Sequence, residues 1–319
     1  MIYICLFLLS FSLTYIIKEV AIKKSLMAIP NERSSHTVAT PHGGGIAIVM
    51  TWFSGISYLY FNDLLSSDIY LALMVGLFLS IVSFLDDIYD LNPKLRVAVQ
   101  LTVAILGIYF LGGLQKIDLG FFVIENRIII NIVAVVATIW FINLYNFLDG
   151  IDGYAGSEAI FLALAGYFLF GSNFYLILMV SVLGFLVWNW HKAKIFMGDV
   201  GSTLLGYNVA IFAMYHQNEG DSILIWIALF GLFWFDATVT LFRRFRNGES
   251  LSVAHKKHAY QRLTQAGWTH DKVVVFGIVV NFLLLSIVYF ISNVFIALIV
   301  AILLLFVTMK FVDRIKPFL

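Results

Sequence analysis

Apolar residues along this chain fall into long runs separated by short polar stretches. The runs have the length of a lipid bilayer. A helix needs about 20 consecutive apolar residues to cross the hydrocarbon, within a range of about 17–25. That ruler predicts eleven spans, at 2–20, 43–61, 69–86, 97–114, 128–145, 157–171, 173–190, 202–216, 222–242, 272–291 and 294–312. The sixth and eighth are short and the sixth nearly touches the seventh, so the prediction is ten or eleven. The predicted fold class is all-α, a polytopic integral membrane protein forming one domain over 1–319. Its longest polar stretch is the loop 243–272.

The polar connections orient the bundle. The first run carries no positive charge before Lys18, the reverse of a cleaved signal, whose charges come first. This predicts a retained first helix with its N-terminus on the periplasmic side. Sorted from that start, every Lys and Arg except Lys116 and Arg127 falls in an inside loop. Cytoplasmic loops carry such an excess of basic residues.

Composition narrows the class further. Hydrophobic residues make up 61% and charged residues 12%, against about 25% charged in soluble domains. Net charge is +1, so no basic face for nucleic acid is expected. The single cysteine, Cys5, can form neither an internal disulfide nor a thiolate metal site.

Most acids also lie on the inside, and so does every conspicuous polar cluster: "NERSSHTVATPHGGG", "DDIYD", "NLYNFLDGIDG", "FMGDVGS" and "VAHKKHAYQRL". Chemistry gathered on one face predicts a site fed from the cytosol. A transporter more often places ionisable groups near mid-membrane on broken helices.

In "DDIYD", Asp86 and Asp90 share a helical face, with Asp87 one step round. Adjacent carboxylates repel, and a hard cation such as Mg²⁺ relieves that repulsion. A solvated helix end, with Asp90 capping the next element, is the competing reading. Asn143, Asn146, Asp149 and Asp152 recur every third residue and form a polar stripe suited to hydroxyls, a base edge or the surroundings of a metal. An ordinary turn is the alternative. Asp199, between Gly198 and Gly201, reads as a third metal ligand or as help for a helix cap at Ser202. His255, Lys256, Lys257, His258 and Arg262 suit the oxygens of a pyrophosphate. Zinc is the poorer fit there, because lysines crowd the histidines and no cysteine is at hand. The glycines of "TPHGGG" suggest an anion-cradling turn. Asp236, an isolated membrane acid, reads as a site residue or a partner for Arg243 or Arg244.

In this order and on this side, the clusters resemble the polyprenyl-phosphate N-acetylhexosamine-1-phosphate transferases of glycosyltransferase family 4, over nearly the whole chain. That family includes the bacterial phospho-N-acetylmuramoyl-pentapeptide translocase and the transferases that start O-antigen and enterobacterial common antigen. The resemblance implies transfer of a sugar-1-phosphate from a cytosolic UDP-N-acetylhexosamine to undecaprenyl phosphate, releasing UMP. It implies Mg²⁺, with Mn²⁺ as a substitute, a multi-pass location in the bacterial inner membrane among membrane lipids, no nucleic acid partner, and compatibility with a homodimer.

Motif by motif, Asp199 stands at the family's magnesium ligand and Asp86 and Asp87 at its aspartate pair. With Asp149 and His258 the pair makes the implied catalytic set. Arg96 takes a basic position held by lysine in the translocase. Asn146, Asp149 and Asp152 match the second motif, whose last acid lies near the uracil. Asn189 and Phe196 fall at nucleotide-binding positions, Phe196 where a ring stacks on uracil. Asn143, His255, Tyr260 and Arg262 complete the expected substrate-binding residues. One departure stands out: "HAYQ" puts Tyr260 and Gln261 where the family has histidines. This resembles the O-antigen branch rather than the muramoyl-pentapeptide enzyme. Two rival readings are a prenyltransferase using "DDIYD" as a DDxxD box and a cation-coupled transporter relaying through its acids.

Overall fold

A computed structural model describes residues 1–30, 38–251, 253 and 255–318. The expected polar segment at 31–37, with Arg33, lies outside the described residues. The helices are α1 (Ile2–Lys23), α2 (Gly45–Phe61), α3 (Ser67–Tyr89), α4 (Pro93–Phe110), α5 (Arg127–Leu148), α6 (Tyr154–Phe170) and α7 (Asn173–Asn189). They continue as α8 (Asp199–Glu219), α9 (Ile223–Leu229), α10 (Gly231–Arg246), α11 (Ala259–Gln265), α12 (His270–Phe290) and α13 (Val294–Ile315). Two short antiparallel ribbons join β1 (Met27–Ala28) to β2 (Thr40–Pro41) and β3 (Ile117–Asp118) to β4 (Val123–Ile124).

Six helices, α1, α3, α4, α5, α12 and α13, are long and apolar enough to cross a membrane, and α2, α6 and α7 are apolar but shorter. The protein is an all-α, multi-pass membrane protein. The expected sixth and seventh spans are separate helices, α6 and α7, divided at Gly171, whose φ of 74° suits glycine. The expected span at 222–242 is broken: α9 and α10 meet at 74°. A break frees carbonyls that hydrocarbon cannot satisfy. The Trp234 indole takes up one of them, donating to the Ile227 carbonyl at 2.7 Å.

The most buried helix is α8, packed against α2, α3 and α5. Its approach to α2 depends on paired glycines, since a Cβ on Gly45 would lie 2.6 Å from the Gly201 Cα. Tyr207 ties α8 to α3 through the Ala72 carbonyl at 2.6 Å, and Tyr145 ties α5 to α6 through the Ala155 carbonyl at 2.8 Å. Both tyrosines are fully buried, so each pairs its one polar atom. The glycine contact sets the start of α2 against the start of α8, and the Tyr145 bond sets the end of α5 against the start of α6.

Candidate active site

Asp86 and Asp87 ride the last turn of α3, which stops where Asp90 enters the left-handed region at φ 49°. Asn92 then caps α4 by accepting the Lys94 amide at 2.9 Å. The capping role expected of Asp90 therefore belongs to Asn92, and Asp90 ends α3 instead. The turn between these helices points Arg96 back at the acids. Its Nε lies 3.2 Å from Asp86 Oδ2, and its Nη2 lies 4.0 Å from Asp199 Oδ2.

Asp199 opens α8. Gly198, at φ 78°, is the N-cap, and the expected cap at Ser202 lies a turn further in. The Asp199 amide donates to Asp87 Oδ1 at 3.3 Å. Asn146 donates to Asp199 Oδ1 at 2.7 Å and to the Ser202 hydroxyl at 2.9 Å. Asp87 Oδ2 is buried and unpartnered among the described residues. Hard carboxylate oxygens with one left unpaired fit a divalent cation, and Mg²⁺ needs only one or two carboxylates when phosphates supply the rest.

Asp149 caps the end of α5. Burial, then the charges of Asp199 and Asp87, push its carboxyl up to about 7. A cleft beside these acids is lined by Asp86, Arg96, Gln100, Asn143, Asn146 and Asp199. Asn143 lies in its wall, exchanging hydrogen bonds with Gln100 at 2.8 and 3.2 Å. Three of the sequence clusters, "DDIYD", "NLYNFLDGIDG" and "FMGDVGS", thus meet at one end of the bundle, although no sequence proximity joins them.

The loop after α5 is braced from two sides. Asn189 is buried, accepting the Gly153 amide at 3.0 Å and donating to the Ile195 carbonyl at 2.9 Å. It thereby locks the Asp152 loop to the strand of chain that carries Phe196. The glycine motif joins the same strand: the Gly44 and Gly45 amides donate to the Phe196 and Met197 carbonyls at 2.9 and 2.8 Å. Those amides are occupied, so the expected anion cradle is instead a backbone splice.

The α11 segment corrects several expectations. Arg262, expected on pyrophosphate, is buried and donates to Asp313 and to the Lys316 carbonyl, both at 2.8 Å. Tyr260, expected to bind substrate, is buried, and its hydroxyl donates to the Phe147 carbonyl at 3.1 Å, bracing the end of α5. His255 is a poor cation, because burial and then His258 and Arg244 push it down to about 4. Asp236 pairs with neither Arg243, which holds Asp313, nor Arg244, which holds Glu249. It accepts the Ala259 amide at 2.8 and 2.9 Å and faces His258 Nδ1 at 3.6 Å. The buried acid thus anchors the start of α11, where His258 is the cap residue.

Sequence reasoning passed over His191 and His270. Their Nδ1 atoms stand 2.9 and 3.2 Å from Asp152 Oδ2. Each is a lone histidine beside an apolar helix, and only the fold brings them to one acid. Among the described residues, this trio is the one group of three potential metal ligands within 4.8 Å of one another.

Residues 69–217 match the glycosyl transferase family 4. Over 291 residues, 85% of this chain and 78% of the relative, the chain is 32% identical to a probable undecaprenyl-phosphate N-acetylglucosaminyl 1-phosphate transferase of Bacillus subtilis. It is 28% identical over 302 residues, with 85% and 78% covered, to an undecaprenyl-phosphate alpha-N-acetylglucosaminyl 1-phosphate transferase of Yersinia pestis. It is 27% identical over 313 residues, with 84% and 77% covered, to a decaprenyl-phosphate N-acetylglucosaminephosphotransferase of Mycobacterium leprae.

Proposed function

This chain belongs to the glycosyl transferase family 4, and from that premise we propose that it transfers N-acetylhexosamine-1-phosphate from a UDP-sugar to undecaprenyl phosphate in the bacterial inner membrane. The product starts a lipid-linked cell-envelope glycan of the O-antigen kind, and UMP leaves. The site faces the cytosol and the N-terminus faces the periplasm, in keeping with the excess of Lys and Arg in the loops that carry the polar clusters. The observation that carries the reading is the meeting of Asp86, Asp87, Asp149 and Asp199 around Arg96 and Asn146.

An oxygen of the lipid phosphate attacks the phosphorus bonded to the sugar. The bond from that phosphorus to the UMP oxygen breaks as the new one forms. Asp199 with Asp86 or Asp87 would hold a divalent cation, Mg²⁺ or Mn²⁺, which would supply charge neutralisation for the two phosphates. Arg96 supplies a fixed positive charge beside them. Asn146 holds Asp199 in orientation. Asp149, near 7, is matched to take a proton from the lipid phosphate monoanion.

That match sets a pH dependence. Asp149 is neutral below its raised value and ionised above it, so UMP release rises with pH through that limb. A bound divalent cation moves the limb below 7 by favouring the carboxylate. A pH–rate profile of Asp149→Asn is expected to lose the limb, and a limb that persists would assign it to another group.

Purified protein with undecaprenyl phosphate, Mg²⁺ and a panel of UDP-N-acetylhexosamines tests the whole reading. UMP release is expected with N-acetylglucosamine among the accepted sugars, and its abolition by chelator is expected to reverse on adding Mg²⁺. Turnover without lipid acceptor, or none with any UDP-sugar, would overturn it.

A further inference from the structure

Asp152 lies in the loop between α5 and α6, buried, with hydrogen bonds arriving from two separate parts of the chain, the loop after α7 and the start of α12. His191 Nδ1 reaches its Oδ2 at 2.9 Å, and the Ala193 amide reaches the same oxygen at 3.2 Å. His270, the first residue of α12, places Nδ1 3.2 Å from Oδ2 and 3.3 Å from the Asp152 amide. It therefore grips the residue in either protonation state, through the carboxylate when Nδ1 carries hydrogen and through the amide when it does not. Among the described residues, every hydrogen bond to this carboxylate lands on Oδ2. Burial alone would raise the carboxyl, yet the bonds from His270 and His191 hold it below the usual range. It stays an acceptor.

A metal site is the competing use of these three side chains, and the main chain argues against it. The Ala193 N–H points at Oδ2 and the Asp152 N–H points at His270 Nδ1. Two of the three ligand atoms thus already face a hydrogen where a cation would stand.

We infer that His191 and His270 form an imidazole clamp that fixes Asp152 Oδ2 and aims Oδ1 at the donor's nucleobase, making the pair positioning residues for the choice of base. The inference rests on the reading of a UDP-sugar donor, and on Asp152 as the acid beside its base. Uracil offers an N3–H, whereas cytosine has a bare N3 and carries its hydrogens on the neighbouring N4. A carboxylate free to rotate accepts from either position. One held at Oδ2 by a helix and a loop presents Oδ1 in a single direction, so clamping converts a tolerant acceptor into a selective one.

The test is competition by UDP and CDP against the UDP-sugar, with the full-length purified enzyme and its lipid acceptor. In His191→Leu and His270→Leu, KM for the UDP-sugar is expected to rise about tenfold, as for loss of a hydrogen bond to a charged group. The preference for UDP over CDP is expected to fall by a similar factor, with kcat within about twofold. His191→Asn places an amide N–H near the Nδ1 position and restores the preference, while His191→Gln, which reaches the Nε2 position, does not. Leucine variants that keep the preference, or that lose UDP and CDP affinity equally, overturn the clamp while leaving the donor reading intact. Wild-type enzyme that binds neither nucleotide overturns both. Protein that retains stoichiometric Zn²⁺ lost on His270→Leu overturns the clamp in favour of a metal site.

Discussion

Asp199→Asn is expected to lower UMP release by about 10²–10³-fold or more, the scale set by removing a charged group from a preorganised phosphoryl-transfer site. The substitution keeps volume and keeps an oxygen able to accept the Asn146 amide, now at 2.7 Å from Asp199 Oδ1. What disappears is the negative charge that a divalent cation requires. The Asp199 amide still donates to Asp87, so the junction of α3 with α8 survives. Thermal unfolding in detergent should therefore move little, because one of several crowded carboxylates has been neutralised. Asp87→Asn tests the opposite side of the same junction and should show a comparable loss, since Oδ2 of Asp87 has no partner among the described residues to explain its burial. Raising Mg²⁺ should recover part of the activity if binding rather than geometry is impaired. Both variants turning over at wild-type rate would remove the acids from the reaction altogether.

Gly198→Ala is the second large effect, and it acts with no change of charge. Gly198 sits at φ 78°, a conformation that an L side chain resists, and a Cβ there would lie 2.8 Å from Asp87 Oδ2. The methyl group must displace either the carboxylate or the start of α8, on which Asp199 depends. A shift near 1 Å in such a site costs on the order of 10²-fold in rate. The expected result is a loss of that size in kcat together with weakened Mg²⁺ dependence, in protein that still inserts and extracts as wild type. An alanine variant with unchanged kcat and metal dependence would show that the Gly198 turn has slack, and the close packing of Asp87 against α8 would lose its catalytic meaning. The two experiments are complementary, one removing a charge at constant shape and the other changing shape at constant charge.

Much of this protein was legible before any coordinates. Bilayer-length apolar runs located the helices, since hydrocarbon allows a spanning backbone little besides a helix. Polar clusters at helix ends marked the face carrying chemistry, because acids are costly in hydrocarbon and are retained there for a reason. Asp86, Asp87, Asn146, Asp149 and Asp199 were all visible in that way. The broken helix at α9 and α10 was not, because its composition is continuous across Phe230 and Gly231 and the bend comes from packing.

The polar stripe from Asn143 to Asp152 shows where reading by spacing stops. Its period holds as far as Asn146, but α5 ends at Leu148, so Asp149 and Asp152 take directions set by the loop. Residue type alone suggested that Arg262 and His255 would carry charge to a phosphate. Burial and partners decided otherwise, as the Asp313 ion pair and the half-buried imidazole show. His191, His270 and Asp152 illustrate the same limit from the other direction, being individually unremarkable and significant only as a trio. By itself the sequence determined where the apolar helices form and which residue types wait at their ends, because hydropathy and charge act locally along the chain. Which of those residues meet, which are consumed by structure and which stay open to a substrate was decided by tertiary packing alone, because distances and burial depend on neighbours far away in the chain.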